Sequence, residues 1–466
     1  MIPRARGALP YVLAFLVAFG VYYDAYEQID PHPFGDEPHY VLEALSLAHD
    51  GDRDLSNDYY DPAEVTGVLG FAGLDLHAYR YTSSHRLVSV HHVGLPALLA
   101  PAARTNDIEW IRKELILVAA LGAMALLGVL RSLRILRGPL CYLVWGAAAF
   151  SLPVVQFSSQ IYPELPAATL LLISLWIALA RPLTPRRAAV AGAVAALVPW
   201  LHVRYTVLAV PLVVGIAATA AHRARRDADG PPRAAALRAA GAAVAPAVVS
   251  LLAMSVAFWA WYGSPALDAQ YRLPATKAFV HHEGWFVYQY AAGNLLGAQF
   301  GWLPIAPAHL LGIAALGLLV WRYRWTGALA ALVFAGYVLV VSTGQPGYAF
   351  AARFMVPVVP LVAVPLALAV AYSRAARLAF LPLAGLTWAF TVQGMHHADR
   401  LYANVGDILR LPLSVKLHTL WPFVPAPPPG IERYPAAVFV AGWVFGLALV
   451  GWLLVEVAAG RRRATV

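Results

Sequence analysis

Apolar windows long enough to cross a bilayer recur along the whole chain, and no other feature restricts its fold as strongly. A hydrocarbon core about 30 Å thick takes roughly 20 residues of helix. Twelve candidate windows lie near residues 8–23, 115–131, 139–157, 164–180, 188–202, 205–221, 239–261, 303–321, 326–342, 355–372, 377–394 and 436–458. With 60% hydrophobic and 13% charged residues, the chain lies outside the globular range. An all-α polytopic membrane protein of about 12 transmembrane helices is expected.

Orientation follows from Lys and Arg, which insertion retains on the cytoplasmic side. With the N-terminus inside, alternate loops are basic: Arg4 and Arg6; Arg131, Arg134 and Arg137; Arg181, Arg186 and Arg187; Arg223 through Arg238; Arg322 and Arg324; Arg374 and Arg377; Arg461 through Arg463. Asp227 and Asp229 are the only acids in those loops, whereas Asp24 through Asp75 fall on the other face. The net charge of +9 is thus explained by topology and calls for no nucleic acid. The first apolar run has no small-residue exit and is followed by Asp24-Ala25-Tyr26, so it reads as a retained helix. With one cysteine, Cys141, no intramolecular disulfide can form. One transmembrane domain over residues 1–466 is expected in the cytoplasmic membrane, with both termini cytoplasmic and long outer connections at 24–114, 262–302 and 395–435.

The first outer connection carries Phe34-Gly35-Asp36-Glu37-Pro38-His39-Tyr40, a carboxylate pair close behind the first span. Residues 38–49 have Val41, Ala44, Leu45 and Ala48 at helical spacing, with Glu43 and Ser46 facing elsewhere, and Pro38 suits a helix start. Such an interfacial helix would hold Asp36 and Glu37 at headgroup depth, beside its positive N-terminal end. A second amphipathic or re-entrant element is expected over His91-His92-Val93-Gly94-Leu95-Pro96 and the residues to Pro101.

The acidic pair after helix one, the interfacial helix, the His-x-x-Gly-x-Pro element and an outer-end Arg before a Pro-rich span together resemble the GT-C superfamily. These are polytopic glycosyltransferases similar to the protein O-mannosyltransferases and the aminoarabinose transferases of lipid A. The resemblance implies a sugar donor carried on a polyprenyl phosphate. Transfer to a lipid, glycan or protein acceptor would occur at the outer face, with inversion at the anomeric carbon. It maps the family's first-loop catalytic carboxylate onto Asp36, with Glu37 as a neighbour that orients the acceptor or shares a metal. The residue chemistry agrees, because an acceptor hydroxyl needs a base within hydrogen-bond reach. Capping of helix 38–49 is the plainer role for the same pair.

A departing lipid phosphate needs cations outside, where they are otherwise scarce. Arg204, between the fifth and sixth windows, and Arg353, entering the tenth, are the candidates, since a guanidinium fork matches phosphate oxygens. Tyr162 and Glu164 stand at the outer mouth of the fourth window, and Glu164 could contact a sugar or pair with Arg204 or Arg353. His91 matches the family's His before Gly and Pro. His39 and Tyr40 are further substrate-side candidates, His39 also as a hydrogen-bond donor to its neighbours. No cofactor is demanded; a divalent cation is left open, with Asp50, Asp52 and Asp54 as ligands. With Asp58 and Asp61 these follow a calcium-loop spacing, but Leu55 replaces the turn glycine and Asp61 the usual Glu. A polytopic solute or lipid transporter is the alternative, because twelve helices with both ends inside is also a transporter layout.

Overall fold

The computed structural model describes residues 3–28, 33–59, 67–70, 74, 76–80, 86–227, 231–271, 291, 293–296, 301–343, 350, 352–396, 446–448 and 450–460. The fold is mostly helical. The principal helices are α1 (Pro3–Gln28), α2 (Glu37–His49), α3 (Gly94–Ala103), α4 (Ile108–Leu133), α5 (Pro139–Ala149), α6 (Glu164–Leu179), α7 (Pro185–Ala196), α8 (Thr206–Arg226), α9 (Pro232–Tyr262), α10 (Trp325–Val341), α11 (Ala363–Tyr372) and α12 (Arg374–His396). Strands β1 (Ala78–Arg80) and β2 (Leu87–Ser89) form an antiparallel hairpin with Ala78 opposite Ser89.

Five helical stretches are long and apolar enough to cross a membrane among the described residues: Gly7–Gln28, Ile108–Leu133, Val203–Arg226, Pro232–Tyr262 and Arg374–His396. The count falls short of twelve because proline interrupts several of the expected windows. Window 139–157 stops as a helix at Ala149, ahead of Pro153. Window 303–321 is divided around Pro307 and again at Ala315 into Trp302–Ile305, His309–Ala314 and Leu316–Tyr323. Window 355–372 is helical only over Pro360–Tyr372 after a turn at Arg353–Met355. The outer connections at 262–302 and 395–435 lie largely outside the described residues, as does Asp61.

The chain divides into two compact units. One comprises residues 1–30, 123–158 and 281–466; in it the Tyr22 hydroxyl of α1 donates to the Ala149 carbonyl at the end of α5 (2.9 Å). The other comprises residues 31–122 and 159–280. It joins α2, the hairpin and α3 to the α6–α9 bundle, where Ala188, Ala191, Ile216, Ala220, Ala239 and Ala243 form a tightly fitted core. Small side chains let helix backbones approach closely where the apolar surroundings offer no hydrophobic drive.

Helix α2 departs from the interfacial reading. Glu37 through Ser46 are all buried, Glu43 and Ser46 included. Two interactions remove the polar stripe from water. Arg53 pairs with Glu43, and α3 packs along the helix. Helix α3 occupies the element foreseen after His91. A Cβ placed on Gly94 would lie 2.5 Å from the Trp200 carbonyl carbon and oxygen, so the absence of a side chain allows α3 to touch the 200–201 backbone. Gly94→Ala is therefore expected to cost about 1–3 kcal/mol as an overpacked contact, read as a lower unfolding midpoint of the detergent-solubilised protein.

Candidate active site

All of the sequence-derived site residues except Arg353 fall in the unit of residues 31–122 and 159–280. The loop before α2 turns at Gly35, whose φ of 60° is open to glycine at little steric cost. Glu37 closes this loop on itself and ties it to two distant segments. Its Oε2 accepts the Phe34 N–H (3.1 Å) and faces Arg112 Nη2 (3.5 Å), while Oε1 accepts the Ile161 N–H (2.6 Å). Arg112 also donates to the Ser159 carbonyl (3.2 Å), and the Tyr162 hydroxyl donates to the Phe34 carbonyl (3.1 Å). Glu37 and Arg112 are fully buried. Glu37 and Tyr162 thus hold the loop in shape.

Asp36 contrasts with its neighbour. It stands at the N-cap position of α2 yet makes no side-chain cap hydrogen bond, and its side chain is 29% exposed. Glu37 and Glu43, the other acids at this end of the unit, are completely buried. Pro38 begins the helix as expected.

Three imidazoles gather beside Asp36. The His39 and His77 rings stack at 3.8 Å, and His91 lies 5.9 Å from His39 and 5.7 Å from His77. Tyr40 covers His91 at 4.5 Å. The Tyr59 hydroxyl oxygen accepts the His77 backbone N–H (3.3 Å) and lies 2.7 Å from His39 Nδ1. Burial drives the His39 pKa down to about 2, helped by His91 and His77 and opposed by Asp36. Burial likewise pushes the Tyr59 phenol up. The hairpin brings His77 here, because the Val90 N–H bonds back to the His77 carbonyl (3.0 Å) and extends the β1–β2 pairing toward His91.

Asp36, His77 and His91 each offer one ligand atom, all within 4.8 Å of one another, with His77 Nδ1 3.9 Å from Asp36 Oδ1. Ligands bonded to one cation at about 2.1 Å stand roughly 3–4 Å apart. A small side-chain adjustment would therefore make the trio fit, and two imidazoles with one carboxylate suit a borderline transition ion better than magnesium or calcium. Asp50, Asp52 and Asp54 do not form such a group. Their carboxylates fasten turns instead: Asp50 Oδ2 takes Asn57 Nδ2 (2.8 Å), and Asp52 Oδ1 takes the Asp54 N–H (2.8 Å). Asp54 Oδ1 receives Ser56 and the Leu87 N–H (3.0 Å).

Under this cluster runs a buried cation. Arg53 pairs with Glu43, donates to the His91 carbonyl (3.2 Å) and lies over the Trp261 ring at 4.3 Å. Glu164 is buried and accepts from Arg204 Nη2 at 2.6 Å, and the Arg204 side chain keeps 14% exposure. Arg204 also stacks on Tyr205 at 5.2 Å. Burial pushes the Tyr271 phenol up; Arg204 opposes the shift and Tyr262 and Asp36 add to it, so the charges of Asp36 and Arg204 act on the same group. Arg353 belongs to the other unit, buried in the turn Arg353–Met355 with its guanidinium over Phe354 at 5.7 Å. Sequence reasoning missed His77, Tyr59, Arg53 and Arg112. For the two arginines a signal existed, since they too sit on the face where cations are depleted.

No family model matches the chain, and no curated protein matches its sequence. Among solved structures it is similar to ArnT from Cupriavidus metallidurans bound to undecaprenyl phosphate, at 15% identity and a TM-score of 0.48, covering 97% of this chain and 78% of that one. It is also similar to the Archaeoglobus fulgidus oligosaccharyltransferase tethered with an acceptor peptide, at 15% identity, TM-score 0.40, covering 91% and 60%. A third is archaeal AglB with an inhibitory peptide and a dolichol-phosphate, at 13% identity, TM-score 0.39, covering 96% and 56%. These neighbours are GT-C glycosyltransferases. The chain spans less than two thirds of the archaeal enzymes' length.

Two outcomes follow from this geometry. Removing one partner of a buried pair strands the other, so Arg112→Met should cost about 3–5 kcal/mol, and the Glu37→Leu/Arg112→Met double variant should recover part of it. Unfolding in detergent measures both. His39, and His92 whose burial lowers its pKa to about 3, are neutral when folded and titrate near 6.5 when unfolded. The unfolded chain therefore binds more protons below about pH 6.5, and stability should fall as pH drops from there toward 3. His39→Gln should flatten that dependence in unfolding midpoints compared at pH 7 and pH 5.

Proposed function

We propose that the protein is a membrane glycosyltransferase moving a sugar from a polyprenyl-phosphate donor to an acceptor hydroxyl at the outer face of the cytoplasmic membrane, with Asp36 as general base. The observation that carries this reading is exposure: the Asp36 side chain at the start of α2 is 29% exposed, whereas Glu37 and Glu43 of the same helix are completely buried. A carboxylate reachable at the positive end of a helix can take a proton from an acceptor hydroxyl.

In the reaction, Asp36 accepts the acceptor's hydroxyl proton as that oxygen bonds to the anomeric carbon. The bond from that carbon to the phosphate oxygen breaks on the opposite face, inverting the centre, and its electron pair leaves with the lipid phosphate. Arg204 is the cation for that charge in this unit, oriented by Glu164 and Tyr205. Arg353 is proposed as a phosphate-binding residue on its own account. His39, Tyr40 and His91 wall the Asp36 side of the site.

A second reading has one observation in its favour, the convergence of Asp36, His77 and His91. These residues would hold a divalent cation, which when bound supplies positive charge toward the departing phosphate. Chelation followed by zinc or manganese add-back separates the two: loss and recovery of transfer assigns the trio to a cation, and indifference assigns Asp36 to proton transfer alone.

Asp36→Asn is expected to lower transfer by at least about 10²-fold, the usual scale for losing a general base, with the unfolding midpoint unchanged. Transfer from a lipid-linked sugar by the purified variant in nanodiscs is the measurement, and wild-type rates would refute the assignment. Uptake of solute across sealed vesicles in the absence of any transfer would favour the transporter alternative.

A further inference from the structure

Arg204 rides on a three-residue turn, Val203–Tyr205. The first backbone N–H groups of such a turn have no partner within it. Here a buried imidazole and the residue capping the turn receive them. The Val203 N–H donates to His92 Nε2 (3.1 Å), and the Arg204 N–H donates to His202 Nδ1 (3.2 Å).

An imidazole nitrogen that accepts carries no hydrogen, so each neutral ring must hold its proton on the other nitrogen. For His92 that is Nδ1. For His202 it is Nε2, which faces the Tyr271 phenol oxygen at 2.9 Å. The Gln270 side-chain amide lies 2.8 Å from His92 Nδ1 and 3.0 Å from His92 Nε2, so consecutive residues of the Ala269–Tyr271 turn stand against both rings. The rings also stack, His92 on His202 at 4.9 Å and 21°, and His202 on Tyr271 at 5.5 Å and 20°.

We propose that His92 and His202 are positioning residues for Arg204. Resting on the reading of Arg204 as the lipid-phosphate cation, this pair of neutral acceptors fixes the turn so that the guanidinium stays aimed at the phosphate while Glu164 holds one of its nitrogens. The requirement is geometric. A planar fork recognises phosphate oxygens only when its orientation is set, and a displacement of about 1 Å can cost 10²-fold in a reacting complex. Gly94 contributes from the other side, since its lack of a side chain seats α3, and with it His92, against the 200–201 backbone.

Amide replacements test the proposal, because a Gln oxygen can stand where Nε2 was and an Asn oxygen where Nδ1 was. His92→Gln and His202→Asn retain the acceptor, whereas His92→Asn and His202→Gln misplace it. Binding of undecaprenyl phosphate to the full chain in nanodiscs should be near wild type in the first pair and weakened roughly tenfold in the second, about 1.4 kcal/mol. Hydrogen exchange in the 203–205 segment should be unchanged in the first pair and accelerated in the second. Equal behaviour of all four variants in both measurements overturns the proposal. Arg204→Gln is run beside them: unchanged phosphate binding in that variant refutes the phosphate reading, and the exchange data still decide whether the imidazoles hold the turn. Weakened binding in Arg204→Gln with none in His92→Asn or His202→Gln refutes the positioning role alone.

Discussion

The buried carboxylate of Glu37 is the point on which the candidate site depends. It gathers the Phe34 amide, the Ile161 amide and the Arg112 guanidinium, three groups far apart in the chain. A charge out of water is costly unless it is paired and fully hydrogen-bonded, so this arrangement admits few alternatives for the 33–37 loop. Burying one carboxylate of the pair is what leaves the adjacent one, Asp36, facing outward with its oxygens directed to the imidazoles.

A similar logic recurs around the site. Glu43 is buried with Arg53, and Arg53 in turn grips the His91 carbonyl. Glu164 is buried with Arg204. In each pair the acid lies on or at the start of a helix and the cation on a connecting segment, so the ion pairs dock loops onto helices. Hydrophobic burial could not do this selectively in a chain whose surroundings are as apolar as its core.

The imidazoles divide into two groups with different work. His39, His77 and His91 border Asp36, where they set the polarity next to the proposed base and could ligate a cation. His92 and His202 take backbone amides beneath Arg204. Adjacent His91 and His92 belong to different groups because neighbouring side chains point in different directions. The doublet therefore links the surroundings of Asp36 to the turn that carries Arg204 through two consecutive residues.

Sequence alone determined the helical, strongly apolar character of the chain, because hydropathy and the scarcity of charge are local properties. The start of α2 at Pro38 and a helix after His91-His92 were equally legible, being matters of nearest neighbours. Tertiary structure decided which carboxylate is buried, since Glu37 meets Arg112 and Ile161 from distant parts of the chain. It also brought in His77, whose place depends on strand pairing, and gave the Asp50–Asp54 acids to turns instead of an ion. Pro153 and Pro307 were visible as breakers, yet how many windows remain whole helices depended on packing that replaces the lost backbone bonds. Long-range pairing of charges in an apolar interior is invisible to periodicity, and that pairing is what made the site.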